Sequence, residues 1–214
     1  MPAETLERHL VVARLTGSPG SVLDVGGDPR LLARLLPGVE VVVANVSPPA
    51  DVLLEGSSLP LESDSFDVAV SVDVVEHLPR EQRPEHLAEL VRVARSRVVA
   101  CWPLGSPRHE QVERGLAEWY EATRGRTHPF LAQHLRHGLP DLAASRELAA
   151  SLPGDSRLLF HGDVERAARR FRELGEARSR PLRYARRRLV DRLDLELGDE
   201  PRPETNRVFL VAEL

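Results

Sequence analysis

The sequence is short of residues that could stabilise it by covalent bonds or by a cysteine-rich metal cluster. Its 214 residues include one cysteine, Cys101, which excludes an internal disulfide bond and a site built from several cysteines. No apolar run approaches the roughly 18 residues that cross a bilayer. Residues 1–16 lack the cationic start and apolar block of a signal peptide. We therefore expect a cytoplasmic protein with no stable membrane insertion.

Lysine is absent, and aromatic residues make up only 4% of the chain, whereas charged residues make up 29%. Arginine carries the positive charge of the side chains, which indicates a GC-rich coding genome, as in many bacteria, rather than a function. The formal net charge is −4, and basic residues do not alternate with aromatic ones in any nucleic-acid-binding motif. We therefore expect no nucleic-acid partner. The length fits one domain with a full hydrophobic core.

Apolar, valine-rich runs alternate with segments of helical periodicity. Five runs in the first half predict strands: 21–25, 39–44, 51–54, 66–71 and 97–101. Helical periodicity continues after Pro103 over 110–124, 129–137, 141–152 and 164–192, and two further runs, 156–161 and 206–212, predict the last strands. This order predicts an α/β fold with a Rossmann-like, doubly wound, mostly parallel seven-stranded sheet, a helical insert and an antiparallel last strand.

A glycine pair follows the first predicted strand in Val22-Leu23-Asp24-Val25-Gly26-Gly27-Asp28. Glycine has no Cβ, so the chain can turn sharply there and a nucleoside can approach the backbone. Asn45 ends the second predicted strand, where a polar side chain can hydrogen-bond ribose hydroxyls. A plain strand–turn–helix without a ligand is the alternative explanation of the glycines.

Further segments follow this turn in a characteristic order: Val43-Ala44-Asn45-Val46-Ser47, Gly56-Ser57-Ser58-Leu59-Pro60-Leu61, Ser65-Phe66-Asp67-Val68-Ala69-Val70-Ser71 and Asp73-Val74-Val75-Glu76-His77-Leu78-Pro79. Together with the turn, they resemble the type 11 group of class I S-adenosylmethionine-dependent methyltransferases. The resemblance covers residues 21–103 and is looser over 110–140, where the chain resembles a bacterial subgroup with uncharacterised or glycan-related substrates.

The resemblance implies S-adenosylmethionine as cofactor and a small-molecule acceptor, such as a sugar- or glycan-related one, methylated on oxygen or nitrogen. It implies one domain over 1–214, with a cofactor-binding half over 1–103 and substrate or lid helices and the last strands over 104–214. The resemblance implies that Asp24, Gly26 and Gly27 line the methionine end of the cofactor and that Asn45 contacts the ribose. It implies that the turn around Gly56 and Ser57 contacts adenine and that Asp73 borders the methionine part and the transferred methyl. Alternatively, Asp24 caps the turn, Asp73 caps a helix and Ser57 is a turn residue.

Three departures from the family pattern weaken this assignment. Residues 28–30 replace the later glycines of the loop, Asn45 replaces an acidic residue at the ribose, and Ser57, or Glu55 in a gapped alignment, replaces an aspartate at adenine. An uncharged ribose partner loses about 1 kcal/mol of hydrogen-bond energy. A non-catalytic partner or regulatory protein of the same fold is therefore the competing hypothesis. A nicotinamide-dependent oxidoreductase would need G-x-G-x-x-G, which the turn lacks.

Methyl transfer from a sulfonium releases a neutral leaving group, so holding the reactants in line supplies most of the rate. A base is needed only for a hydroxyl or a protonated amine. Glu76 and His77 are the catalytic candidates because they follow the fourth strand, although His77 could simply open a helix. Four further histidines are also candidate bases: His109, His128, His134 and His137. No recognisable ligand spacing accompanies His134 and His137, so we predict no metal site.

Two further features allow a functional and a structural explanation. Trp102, Trp119 and Tyr120 could stack on an acceptor or pack in the core. The arginine-rich segment 166–192 could bind an anionic acceptor or a membrane surface, or form an amphipathic helix pair with a solvated face. The sequence predicts no oligomeric state.

Overall fold

The structure, a computed structural model, describes residues 3–28, 31–55, 58–176 and 193–214. The strands are β1 Ser21–Val25, β2 Glu40–Asn45, β3 Val52–Leu53, β4 Phe66–Val72, β5 Ala94–Pro103, β6 Asp155–His161 and β7 Arg207–Glu213. The helices are α1 Ala3–Thr16, α2 Leu32–Leu35, α3 Arg83–Val93, α4 Pro107–Arg124, α5 Pro129–His137, α6 Leu142–Ala150 and α7 Val164–Glu176.

All seven strands form one sheet in the order β3-β2-β1-β4-β5-β7-β6. Strands β1 to β5 pair in parallel, whereas β7 lies antiparallel between β5 and β6. This confirms the predicted Rossmann-like sheet with an antiparallel last strand. The strand order switches between β1 and β4, where a ligand crevice forms in such sheets. Strand β7 begins at the same edge, because Arg207 pairs with Pro103 at the end of β5.

Alternating side chains of the central strands build a separate apolar core on each face of the sheet, as the twofold period of a strand requires. In β5, Val98 and Trp102 face the core completed by α3 and α6. Val99 and Cys101 face the core completed by α1 and α2. Cys101 is fully buried, and its burial raises the pKa of the thiol to about 12, so it is a packing residue.

A third, smaller cluster joins three helices beyond the sheet. Leu116 of α4, Leu131 of α5 and Ala168 of α7 pack together. Helix α4 is well delimited by its sequence: the Ser106 hydroxyl accepts a hydrogen bond from the His109 amide, and Gly125 ends the helix at a φ of 66°. These helices cover the edge at which β5 ends and β7 begins.

Several predicted helices and strands begin or end up to three residues from their observed bounds. Helical periodicity over 80–94 predicts one helix, whereas the observed helix starts at Arg83, after a short 3₁₀ turn over Arg80–Gln82, and ends at Val93, because Ala94 already pairs with Phe66 in the sheet. The helix predicted over 164–192 is present to Glu176, and residues 177–192 lie outside the described part of the chain. No helix within the described ranges is long and apolar enough to cross a membrane.

The buried position of β7 predicts a large cost for shortening one of its side chains. Leu210 is fully buried, so Leu210→Ala is expected to lower the free energy of unfolding by about 3 kcal/mol. Leu53→Ala is the matched control, because Leu53 is 56% exposed on the edge strand and should cost well under about 1 kcal/mol. Urea unfolding measures both values, and equal losses would contradict the placement of β7 within the sheet.

Candidate functional site

The turn after β1 requires glycine at two successive positions. Gly26 has a φ of 82°, and a Cβ on it would lie 2.3 Å from Cγ2 of Val74. A Cβ on Gly27 would lie 1.9 Å from Oδ2 of Asp24. The Gly26 amide donates to the carbonyl of Ala44 at 2.7 Å, which ties the turn to the end of β2. The sequence therefore folds into a tight backbone cradle at the switch point of the sheet.

The carboxylate of Asp24 lies directly against this turn. The residue is 1% exposed, and neither carboxylate oxygen has a hydrogen-bond partner among the described residues. Burial, with a smaller effect from the negative charge of Asp28, raises the pKa of Asp24 from 3.8 to about 7. The alternative that Asp24 caps the turn receives no support from these contacts. A buried carboxyl without partners is costly to the fold, and such groups cluster at functional sites.

Asn45 lies at the end of β2 and reaches the same turn. Its Nδ2 donates to the carbonyl of Gly27 at 3.3 Å, and its Oδ1 accepts from the amide of Val46 at 2.8 Å. The structure thus brings Asp24, the glycine pair and Asn45 together at one edge. The predicted adenine contacts, Gly56 and Ser57, lie outside the described residues.

Asp73 follows β4 and forms ion pairs with two arginines that are distant in sequence. Its Oδ2 lies 2.6 Å from Nη2 of Arg8 in α1, and its Oδ1 pairs with Nη1 of Arg207 in β7. Burial favours a higher pKa for Asp73, but the charges of Arg207 and Arg8 outweigh it and lower the pKa to about 2. Asp73 has a φ of 56°, which is uncommon for a residue other than glycine. Its carboxylate is therefore a fixed structural charge.

Glu76 and His77 lie in the 3₁₀ turn Val75–His77 that follows. Glu76 is 1% exposed, and burial together with the charge of Asp73 raises the pKa of its carboxyl well above the usual value. Burial and the neighbouring His134 lower the pKa of His77 to about 4. The His77 ring packs against Phe130 and His134 of α5, with centroid separations of 5.2 and 4.8 Å.

Helix α5 brings a further histidine to this turn. The Nδ1 atom of His134 lies 2.7 Å from Oε1 of Glu113, which α4 supplies. The sequence predicts His134 only as one of several candidate bases and places it beside His137. The structure pairs it with Glu76 and His77 instead. Glu113, like Arg8 and Arg207, gave no signal in the sequence, because single charged residues on helices and strand ends are usually exposed.

A cavity of about 410 Å³ lies between α1, α4, α5 and α7. Its apolar wall includes Val112, Leu116, Phe130, Leu131, Ala168 and Phe171. Its polar wall includes Arg8, His109, Glu113, His134, Arg170 and Arg207. Residues 73–77 separate this cavity from the glycine turn, because Val74 contacts the position of Gly26 while Asp73 and His77 contact cavity residues. The site thus has two compartments that share one wall.

The remaining candidates divide between the core and the cavity. Trp102 is fully buried in the sheet core and donates to Ser145, so it is a packing residue. Trp119 and Tyr120 contact Phe171, which lines the cavity. Within the arginine-rich segment, Arg166 pairs with Asp194 and Arg170 pairs with Glu7 of α1. The part of that segment over 177–192 lies outside the described residues.

Residues 24–101 match the sequence model of the type 11 family described as "Methyltransferase domain". That match begins in the last two residues of β1, ends within β5 and includes Asp24, Gly26, Gly27, Asn45 and Asp73. A search of curated proteins found no match to the sequence.

Solved structures show the same fold at low sequence identity. A protein from Bacillus halodurans C-125, solved as a candidate methyltransferase, has a TM-score of 0.55 and 13% identity over 98% of both chains. Geranyl diphosphate methyltransferase in complex with S-adenosylmethionine has a TM-score of 0.56 and 14% identity over 99% of this chain and 83% of its own. Phosphoethanolamine N-methyltransferase 2 of Haemonchus contortus has a TM-score of 0.57 and 14% identity, over 96% of this chain and 52% of its own. At these identities the similarity shows the fold.

The raised pKa of Asp24 predicts how stability depends on pH. Between 3.8 and about 7, the unfolded chain has released the proton while the folded protein still binds it, so stability falls as pH rises through this window. We expect Asp24→Asn to be more stable than the parent protein at pH 8, by up to about 4 kcal/mol, and equally stable near pH 4. Urea unfolding across this range measures the difference.

Asp199→Asn is the control for this measurement, because Asp199 is exposed and its carboxylate is not a buried charge. The free energy of unfolding of Asp199→Asn should differ from that of the parent protein by nearly the same amount at pH 4 and at pH 8. If the corresponding difference for Asp24→Asn is also independent of pH, Asp24 is not buried without partners.

Proposed function

We propose that this chain, whose residues 24–101 match the methyltransferase domain of the type 11 family, is a methyltransferase of that family, binds S-adenosylmethionine at the turn after β1 and methylates a small molecule held in the neighbouring cavity. The observation that carries the proposal is Asp24, a buried carboxyl with no partner among the described residues, which lies against a glycine turn at the switch point of the sheet. A cationic or hydroxyl-bearing ligand at this turn would supply the missing hydrogen bonds.

The residues at the turn suit the proposed cofactor. The ionised carboxylate of Asp24 would accept hydrogen bonds from the ammonium group of the methionine end, and the glycine pair leaves room for this approach. Asn45 would contribute its second amide hydrogen to the ribose, since the first is used by Gly27. Gly56 and Ser57 stay predicted adenine contacts. When bound, S-adenosylmethionine supplies a methyl group on a sulfonium that departs as a neutral thioether.

The cavity is proposed to bind the acceptor. Its volume of about 410 Å³ is in the range of small-molecule sites. Most of its wall is apolar, while histidines and carboxylates line the side next to residues 73–77. In this division, residues 1–103 supply the cofactor site and residues 104–214 supply most of the acceptor site, as the sequence predicts. Among small molecules, we propose a sugar- or glycan-related acceptor.

Residues 73–77 are proposed to align the two compartments. Asp73, fixed by Arg8 and Arg207, holds this segment against both the glycine turn and the cavity. Glu76 and His77 lie behind the α5 wall of the cavity, next to His134, and we propose that they position the acceptor group through that wall. Correct alignment of two bound reactants supplies most of the rate of such a transfer.

Calorimetry with S-adenosylhomocysteine tests the cofactor site. If the ionised form of Asp24 binds, the affinity should be about tenfold higher at pH 8 than at pH 6, because the ionised fraction rises through a pKa of about 7. Asp24→Asn should bind about tenfold more weakly than the parent protein at pH 8 and similarly at pH 6. Asp199→Asn, with its exposed side chain, should match the parent protein at both pH values.

Two results would contradict the proposal in different ways. Absence of binding at millimolar ligand would favour the competing hypothesis of a non-catalytic protein with an eroded cofactor site. Unchanged affinity in Asp24→Asn at pH 8 would place the ligand elsewhere and reject the assigned turn.

A further inference from the structure

Three side-chain atoms that have no hydrogen-bond partner converge beside the cavity. They are Oε2 of Glu76, Nδ1 of His77 and Nε2 of His134, and ligand atoms of these residues lie within 4.8 Å of one another. All three atoms are shielded from solvent, and none has a partner among the described residues. A buried polar group without a hydrogen-bond partner destabilises the folded state. Three such groups at one point indicate that they share a ligand.

The second ring nitrogen of His134 is engaged, which orients its free nitrogen. Nδ1 of His134 is bonded to the Glu113 carboxylate at 2.7 Å, so it carries the hydrogen and leaves a lone pair on Nε2. Nδ1 of His77 has no hydrogen-bond partner among the described residues. A histidine whose second nitrogen bonds a carboxylate is the usual arrangement behind a metal ligand.

We propose that Glu76, His77 and His134 bind one divalent first-row transition-metal ion such as Zn²⁺. Two imidazoles and one carboxylate form the ligand set of catalytic zinc sites that keep an open position for water or substrate. Two imidazoles among three ligands disfavour Mg²⁺ and Ca²⁺, which prefer oxygen. Metal bonds of about 2.0–2.2 Å require the ligand atoms to approach within about 3.5 Å of one another. Side-chain rotations that move these atoms by about 1 Å would therefore complete the site.

Asp73 lies three residues before Glu76 but is not a ligand, because Arg8 and Arg207 occupy its two carboxylate oxygens. The ligands come from two distant segments, the turn after β4 and helix α5. The short ligand spacing that sequence reasoning looks for is therefore absent, and the prediction of no metal does not hold under this proposal.

The position of the site suggests what the ion would do. Of the three ligands, His134 also lines the cavity, so an acceptor would approach the ion past this side chain. There the ion would polarise and orient an acceptor oxygen, which narrows the substrate class to acceptors with a hydroxyl or another oxygen ligand. This consequence rests on the proposed function, whereas metal binding itself does not.

Binding of Zn²⁺ to the chelator-treated full-length protein tests the proposal. We expect one equivalent by calorimetry and by elemental analysis after dialysis. We also expect Co²⁺ bound in its place to give the absorption of a site with nitrogen and oxygen ligands. His134→Ala should weaken Zn²⁺ binding by at least about a hundredfold, and Glu113→Gln should weaken it by about tenfold to a hundredfold, since Glu113 only orients a ligand. Mg²⁺ should not compete.

His137→Ala is the matched control, because His137 lies one turn further along α5 and outside the cluster. It should bind Zn²⁺ like the parent protein. Lack of stoichiometric binding by the parent protein, or equal binding by His134→Ala and His137→Ala, would overturn the proposal and leave a shared water as the ligand of the three atoms.

Measurements with S-adenosylhomocysteine separate this proposal from the proposed function. His134→Ala should bind S-adenosylhomocysteine with nearly the affinity of the parent protein, which also reports that this variant folds. Retained metal binding with no S-adenosylhomocysteine binding would reject the proposed function alone, and the reverse result would reject the metal site alone.

Discussion

The ion pairs of Asp73 with Arg8 and Arg207 join three parts of the chain that are far apart in sequence. They connect the end of β4 to α1 and to the first residue of β7, in surroundings that are largely shielded from solvent. Removing one partner of such a group leaves an uncompensated charge, which costs more than the pair contributes when complete. The constraint is stronger because two guanidinium groups meet at one carboxylate. Without Asp73, the positive charges of Arg8 and Arg207 would lie beside the cavity without a shared carboxylate between them. Substitution of one of these three residues therefore requires substitution of the others.

The same ion pairs couple the two compartments of the site. Asp73 adopts a left-handed backbone conformation and positions Val74 against Gly26, so the glycine turn cannot shift without moving the segment that follows β4. Later in the same segment, Val75 is buried in the core and the next residue, Glu76, is turned toward α5. A shift of the glycine turn would therefore displace the segment that borders the cavity. If the two ligands bind as proposed, this shared segment keeps them aligned for direct transfer.

The sequence predicted the sheet far better than it predicted the site. β1 was predicted at its observed bounds because a short, mostly apolar run that ends at a glycine pair is typical of a buried parallel strand. Asp24 and Asn45 were singled out as candidates because strand ends fix their place. Arg8, Arg207 and Glu113 were missed because their roles depend on which elements meet at the edge of the sheet. His134 was recognised as a histidine of interest, but its partners lie 57 and 58 residues earlier, and no local pattern encodes that contact.

The departures of the glycine turn from the pattern of the type 11 methyltransferases are consistent with one another. Asp24 already lies in a buried position beside the negative charge of Asp28, and both effects raise its pKa. An acidic side chain at position 45, next to the same glycine, would add a third negative charge and raise that pKa further. Asn45 avoids this repulsion and donates a hydrogen bond to Gly27 that a carboxylate could not make. The neutral residue therefore helps to keep Asp24 ionisable near neutral pH. Asparagine at this position is thus compatible with a working cofactor site, provided that Asp24 supplies the charge.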